Sequence, residues 1–205
     1  MLLIKDTRTR FGLVSVLLHW YVAITILGIL LPTGLLIYFI GPHGALRPLR
    51  ADITFFHQSV AITSIPFFLA RIFWRAANGK PKTYIQHPAL TFAAEASWRL
   101  LLILIVWQVL TGPFIEELSW FGIDLFRLSY PDALSWVSDN VEMLHLYGAF
   151  AIAAVLFFHV GGALRHHFIV KDSVLRNMVC PVVPDVPAAE PLPAGVKAPD
   201  ALPGV

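Results

Sequence analysis

Four stretches of the chain, residues 11–40, 53–74, 90–118 and 141–168, are nearly free of charge, and each reaches the ~20 residues an α-helix needs to cross a bilayer core. No other feature narrows the fold as far. Lipid offers no hydrogen-bond partner to an open backbone, so a spanning element is a helix or part of a closed barrel. Uninterrupted apolar runs of this length, without strict alternation, read as helices. The expectation is an all-α membrane protein, a bundle of four transmembrane helices at about residues 11–40, 51–75, 91–118 and 140–168. Composition agrees, with 57% hydrophobic and 14% charged residues where a soluble domain carries about a quarter charged. Pro32 and Pro66 predict kinks in the first and second helices, and Gly112-Pro113 a bend at the outer end of the third. The first apolar run is too long for the core of a secretory leader and is read as a span.

Charge in the short connections gives an orientation. Lys5, Arg8 and Arg10 precede the first run, Arg71, Arg75, Lys80 and Lys82 follow the second, and Arg165, Lys171 and Arg176 follow the fourth. Positive charge stays on the cytoplasmic side, so both termini are expected there, in a bacterial inner membrane. The connection between runs three and four holds Glu116, Glu117, Asp124, Asp132, Asp139 and Glu142 against Arg127, and is expected on the periplasmic side. Its aromatic residues, among them Trp120, Phe126, Tyr130 and Trp136, suit the membrane interface, and part of residues 119–140 reads as a short amphipathic helix. Residues 1–178 are expected to form the one domain. The tail, residues 179–205, carries seven prolines (Pro181, Pro184, Pro187, Pro191, Pro193, Pro199 and Pro203) and reads as disordered. Cys180 is the one cysteine, which excludes an internal disulfide and a cysteine-held cluster.

Four of the eight histidines lie within the apolar runs: His19, His57, His145 and His159. His145 and His159 are fourteen residues apart, which returns a helix to within ~40° of its starting direction after a rise of ~21 Å. Given the orientation above, His19 and His159 lie in the inner half of the membrane, and His57 and His145 in the outer half. Two imidazoles facing each other across a bundle suit axial ligation of haem iron. A zinc or copper centre would gather its ligands at one depth. The other readings of intramembrane histidines are polar helix packing and a proton relay. Each of the four is followed one turn later by alanine (Ala23, Ala61, Ala149, Ala163), and Gly148, Gly161 and Gly162 thin the fourth helix. Small side chains leave space for a macrocycle, and they also occur where helices pack closely. Arg71, fourteen residues after His57, projects from a similar face at the inner level, where it could neutralise a haem propionate. Arg75 reads as a snorkelling side chain, and Glu95 with Arg99 as a surface pair.

The segments Arg10-Phe11-Gly12, Leu18-His19-Trp20, Phe56-His57-Gln58-Ser59, Arg71-x-x-Trp74-Arg75, Leu144-His145, His159-Val160, Ala163-Leu164-x-His166-His167-Phe168 and Asp172-x-Val174-Leu175-x-x-Met178 resemble, in order, the prokaryotic cytochrome b561 family. The resemblance runs over roughly residues 8–178. It implies two b-type haems held by His19, His57, His145 and His159, and electron transfer across the membrane with ubiquinone on one side. Family members also act as superoxide oxidases, or as cytochrome subunits of hydrogenases and dehydrogenases.

The function expected is electron transfer between a quinone pool and a periplasmic redox protein, with superoxide:ubiquinone oxidoreductase as the alternative and a haem-free, proton-coupled transporter as the reading outside redox chemistry. His166, with His167 and Lys171, is the candidate quinone or proton contact at the inner end of the fourth helix. The acidic outer connection repels an anion such as superoxide and attracts a basic protein. Arg47 and Arg50 in the first loop could form a local positive funnel. The partners expected are lipid, quinone and a periplasmic redox protein, with a homodimer open and no nucleic acid.

Overall fold

The computed structural model describes residues 4–7, 10–78, 88–115, 117–127, 135–171 and 174–179. The proline-rich tail, Cys180, and the connections holding Lys80, Lys82, His87, Tyr130 and Asp132 lie outside the described residues.

The helices are α1 (Leu13–Ile24), α2 (Leu31–Ile40), α3 (Arg47–Asn78), α4 (Pro88–Thr111), α5 (Ser135–Arg165) and the short α6 (Val174–Val179). Four of the helical stretches are long and apolar enough to cross a membrane: Leu13–Ile40, Arg47–Asn78, Ala89–Phe114 and Asn140–Val170. This is the expected bundle. Large apolar side chains such as Phe73, Ile103 and Phe157 stand well exposed on its outside, as a lipid-facing surface requires.

The first span is two α-helices joined through a π-helical segment, Thr25–Leu30. Pro32 lies just beyond it and has no N–H to return to an earlier carbonyl. A π turn accommodates an extra residue, so α2 is rotated relative to a regular continuation of α1. Pro66, by contrast, lies inside an unbroken α3.

A cap holds the N-terminal end of α1. Asp6 accepts from the Gly12 N–H at 2.7 Å and from Ser15 Oγ at 2.8 Å, and Trp74 on α3 donates to the same Ser15 oxygen at 2.9 Å. A Cβ at Gly12 would fall on the Lys5 backbone, so the N-terminal segment can fold back only over glycine. Arg75 lies over the rings of Phe11 and Trp98 at 5.9 and 5.4 Å. Its guanidinium is therefore packed against aromatic rings. Glu95 and Arg99 form the exposed pair expected, at 3.0 Å.

One expectation is corrected where the third span ends. The third helix does not run to residue 118: α4 stops at Thr111 and a single 3-10 turn, Gly112–Phe114, follows, because Pro113 withholds a donor where the helix would continue. The described segment that follows, residues 117–127, is not helical, and residues 128–134, where part of the expected amphipathic helix would fall, lie outside the described residues. Residues 117–127 form an antiparallel hairpin of β1 (Glu117–Trp120) and β2 (Ile123–Arg127), with Trp120 paired to Ile123. The two linking residues, Phe121 and Gly122, both have positive φ (47° and 82°), as a tight turn matched to strand twist requires. The hairpin is pinned to α3: the Phe121 N–H donates to the fully buried Ser59 Oγ at 3.1 Å, and Trp120 Nε1 to Thr63 Oγ1 at 3.0 Å.

The buried core is a cluster of Val22, Ile26, Phe68 and Ile152, with Leu104, Ile105 and Leu156 packed against it. Ile152 lies seven residues from both His145 and His159, so this layer separates the two histidine levels.

Candidate functional site

The four histidines meet in the two pairs expected from depth. The rings of His19 (α1) and His159 (α5) have centroids 6.4 Å apart and planes at 53°. Those of His57 (α3) and His145 (α5) are 6.5 Å apart at 77°. Two imidazoles on one metal, with metal–nitrogen bonds of ~2 Å, have centroids about 6.3 Å apart. Both pairs therefore stand at the separation of axial ligands across one iron. Among the described residues no group of three or more His, Cys, Asp or Glu is placed to hold a metal ion.

The outer pair is built by two threonines that sequence reasoning missed. Thr33 Oγ1 on α2 lies 2.9 Å from His57 Nδ1, and Thr111 Oγ1 at the end of α4 lies 2.9 Å from His145 Nδ1. With Nδ1 engaged, Nε2 is the nitrogen left for a metal. The next residue in each case is glycine. A Cβ at Gly34 would stand 3.4 Å from His57 Cε1, and one at Gly112 3.4 Å from His145 Cε1. The signal present in the sequence was the repeated Thr-Gly dipeptide beside proline, Pro32-Thr33-Gly34 and Thr111-Gly112-Pro113.

Of the small residues that were singled out, Gly148 serves helix packing. A Cβ there would approach Gln108 Oε1 to 2.7 Å and Trp107 Cδ1 to 3.0 Å, and Trp107 Nε1 donates to the Leu144 carbonyl at 3.2 Å across the same α4–α5 contact. Gly161 and Gly162 face open space.

Arg71 reaches the inner pair: its guanidinium lies 3.1 Å from His19 Nδ1. Trp20 packs edge-on to His19, at 5.5 Å between centroids, and donates to the Met178 carbonyl at 2.7 Å. The short α6 is thereby tied to α1. His166 begins a π-helical segment, His166–Val170, that closes the fourth span; it is half-buried, whereas His167 and Lys171 are exposed.

Facing imidazole pairs in a bundle of four helices long and apolar enough to cross a membrane fit a membrane cytochrome. Residues 10–180 match the family model described as prokaryotic cytochrome b561, and the chain belongs to that family. It is thus a multi-pass membrane b-type cytochrome of electron transfer, in contact with lipid and binding haem b. Among curated proteins it is similar to "Cytochrome b561 homolog 2" of Escherichia coli (strain K12), 26% identical over 179 residues that cover 85% of this chain and 93% of that protein.

Proposed function

We propose that residues 1–178 carry electrons between a quinone and a soluble redox protein on the periplasmic side, with one haem b held by His19 and His159 and a second by His57 and His145. The observation that carries the reading is the centroid separation of 6.4 and 6.5 Å in the two pairs. When bound, the haems supply one-electron centres at two depths of the bundle.

The chain's own residues set the conditions. Arg71 can only donate, so its contact makes His19 Nδ1 the acceptor and leaves the ring proton on Nε2. Holding a metal through Nε2 requires the opposite tautomer. His19 holding the group through Nε2 would therefore carry its proton on Nδ1, and the Arg71 guanidinium would then be available to a carboxylate of that group. His166, at a π turn of the kind often found at functional positions, is the candidate quinone or proton contact on the cytoplasmic side, with His167 and Lys171. The six acids against one arginine between residues 116 and 142 favour a basic protein partner at the opposite side. This orientation, with both termini cytoplasmic in an inner membrane, follows the distribution of Lys and Arg.

A second reading, superoxide oxidation coupled to quinone reduction, draws on Arg47 and Arg50 at the outer start of α3. Arg50 is half-buried and donates to the Ile37 carbonyl at 3.3 Å. Haem quantitation tests the main reading: wild type should carry two haems, and His57→Ala and His159→Ala should each lose a different one. A fully loaded wild type with fewer than two would overturn it. Rapid reduction of the oxidised protein by superoxide in stopped flow would favour the second reading.

A further inference from the structure

We infer that Thr33 and Thr111 are the positioning residues of the outer histidine pair, each accepting the Nδ1 proton of its histidine and so fixing both the metal-facing nitrogen and the angle between the rings. This rests on the proposed ligation by His57 and His145. The argument is one of proton accounting. A threonine hydroxyl has one proton. Thr33 Oγ1 lies 2.7 Å from the Ile29 carbonyl, and Thr111 Oγ1 lies 2.8 Å from the Trp107 carbonyl, each four residues back in its helix. A carbonyl oxygen only accepts, so both hydroxyl protons point there. Each Oγ1 then presents lone pairs to the imidazole 2.9 Å away, and the hydrogen must come from Nδ1. The neutral imidazole so defined has its free lone pair on Nε2.

The back-bond also restricts the threonine side-chain rotamer, so the acceptor is fixed before any ligand arrives. Gly34 and Gly112 then admit the ring edges, with 3.4 Å between each Cβ position and the facing Cε1. The same three-part device occurs twice, on α2 and at the end of α4, and holds the planes at 77°. At the inner pair, the His19 Nδ1 contact is with a donor, Arg71, instead of an acceptor. An Nδ1–H bonded to an oxygen makes the imidazole a stronger ligand base, which favours the oxidised metal, so removing the hydroxyl raises the potential of the outer haem.

The test compares Thr33→Val and Thr111→Val with Thr33→Ser and Thr111→Ser in the purified, haem-loaded chain, by redox titration and by the EPR spectrum of the oxidised form, whose anisotropy grows as imidazole planes approach perpendicular. The outer signal is first assigned as the one lost in His145→Ala. A His145→Ala protein that keeps both haems would refute the ligation itself, separately from the role of the threonines. With the assignment made, the valine variants should raise the potential and change the EPR anisotropy of that haem alone, and the serine variants should match wild type. Failure of a valine variant to load the outer haem, while its serine counterpart loads it, supports the same conclusion. Unchanged potential and spectrum in both valine variants, equal shifts in valine and serine variants, or loss of the outer haem from both kinds would overturn it.

Discussion

Replacing Arg71 by glutamine should lower the midpoint potential of the inner haem. The guanidinium stands 3.1 Å from His19 Nδ1; adding the width of an imidazole and one metal–nitrogen bond sets it about 7 Å from a metal held by the far nitrogen. At an effective dielectric constant of ~20, a unit positive charge at that distance favours an arriving electron by ~2.4 kcal/mol. One electron moved through 100 mV is worth ~2.3 kcal/mol, so the potential should fall by up to ~100 mV. Partial solvent screening reduces this figure, and a shift of the guanidinium to a carboxylate at similar range leaves its sign unchanged. The outer pair lies fourteen residues along the helix, ~21 Å further in rise, where the same charge is worth about a third as much or less. The assay is potentiometric titration of the purified protein, followed in the visible haem bands, for wild type, Arg71→Gln and Arg71→Lys. Lysine keeps the charge and should retain most of the potential. Two unmoved potentials in the glutamine variant, equal movement of both haems, or a lysine variant as low as the glutamine one would refute the electrostatic reasoning.

Three further outcomes are expected. Asp6→Ala removes the acceptor for Gly12 N–H and Ser15 Oγ and should destabilise the protein by about 1–2 kcal/mol, read as a lower melting temperature in detergent; an unchanged melting curve would show that the cap contributes nothing. Trp120→Phe deletes the indole bond to Thr63, worth about 1 kcal/mol, and should speed hydrogen exchange in β1 and β2 while leaving haem content intact. Gly148→Val should overpack the α4–α5 contact at a cost of about 1–3 kcal/mol, because even its Cβ would meet Gln108 and Trp107; Gly161→Ala, facing open space, should leave thermal stability close to wild type.

The spans and the pairing of the histidines were legible because both depend on coarse quantities, the length of apolar runs and the distance of each histidine from a charged end. Contacts that depend on rotation about a helix axis were not. The π turn at Thr25–Leu30 offsets every later residue of the first span, so a regular 3.6-residue period could not bring Thr33 to His57. Thr111 escaped because α4 ends there, seven residues before the apolar run does. The hairpin was hidden for a related reason: Trp120, Phe121 and Ile123 look like interfacial residues whatever backbone carries them, and the pairing depends on a turn at Phe121-Gly122. At Gly148, of the two uses the sequence left open for a small residue beside a histidine, the structure shows helix packing.

The apolar layer of Val22, Ile26, Phe68 and Ile152 has an electrical consequence. An electron can tunnel through closely packed hydrocarbon, but a proton needs a chain of groups that both accept and donate. Near this level Tyr21 and Ser64 make a hydroxyl contact at 3.3 Å, and Ser64 Oγ donates a hydrogen bond to the Val60 carbonyl at 2.7 Å, an oxygen with no proton to hand on. In the proposed two-haem arrangement, traffic between the levels is then uncompensated negative charge, and its equilibrium responds to membrane voltage. Polarising the membrane should redistribute electrons between the inner and outer centres without any change in the chemistry at either end.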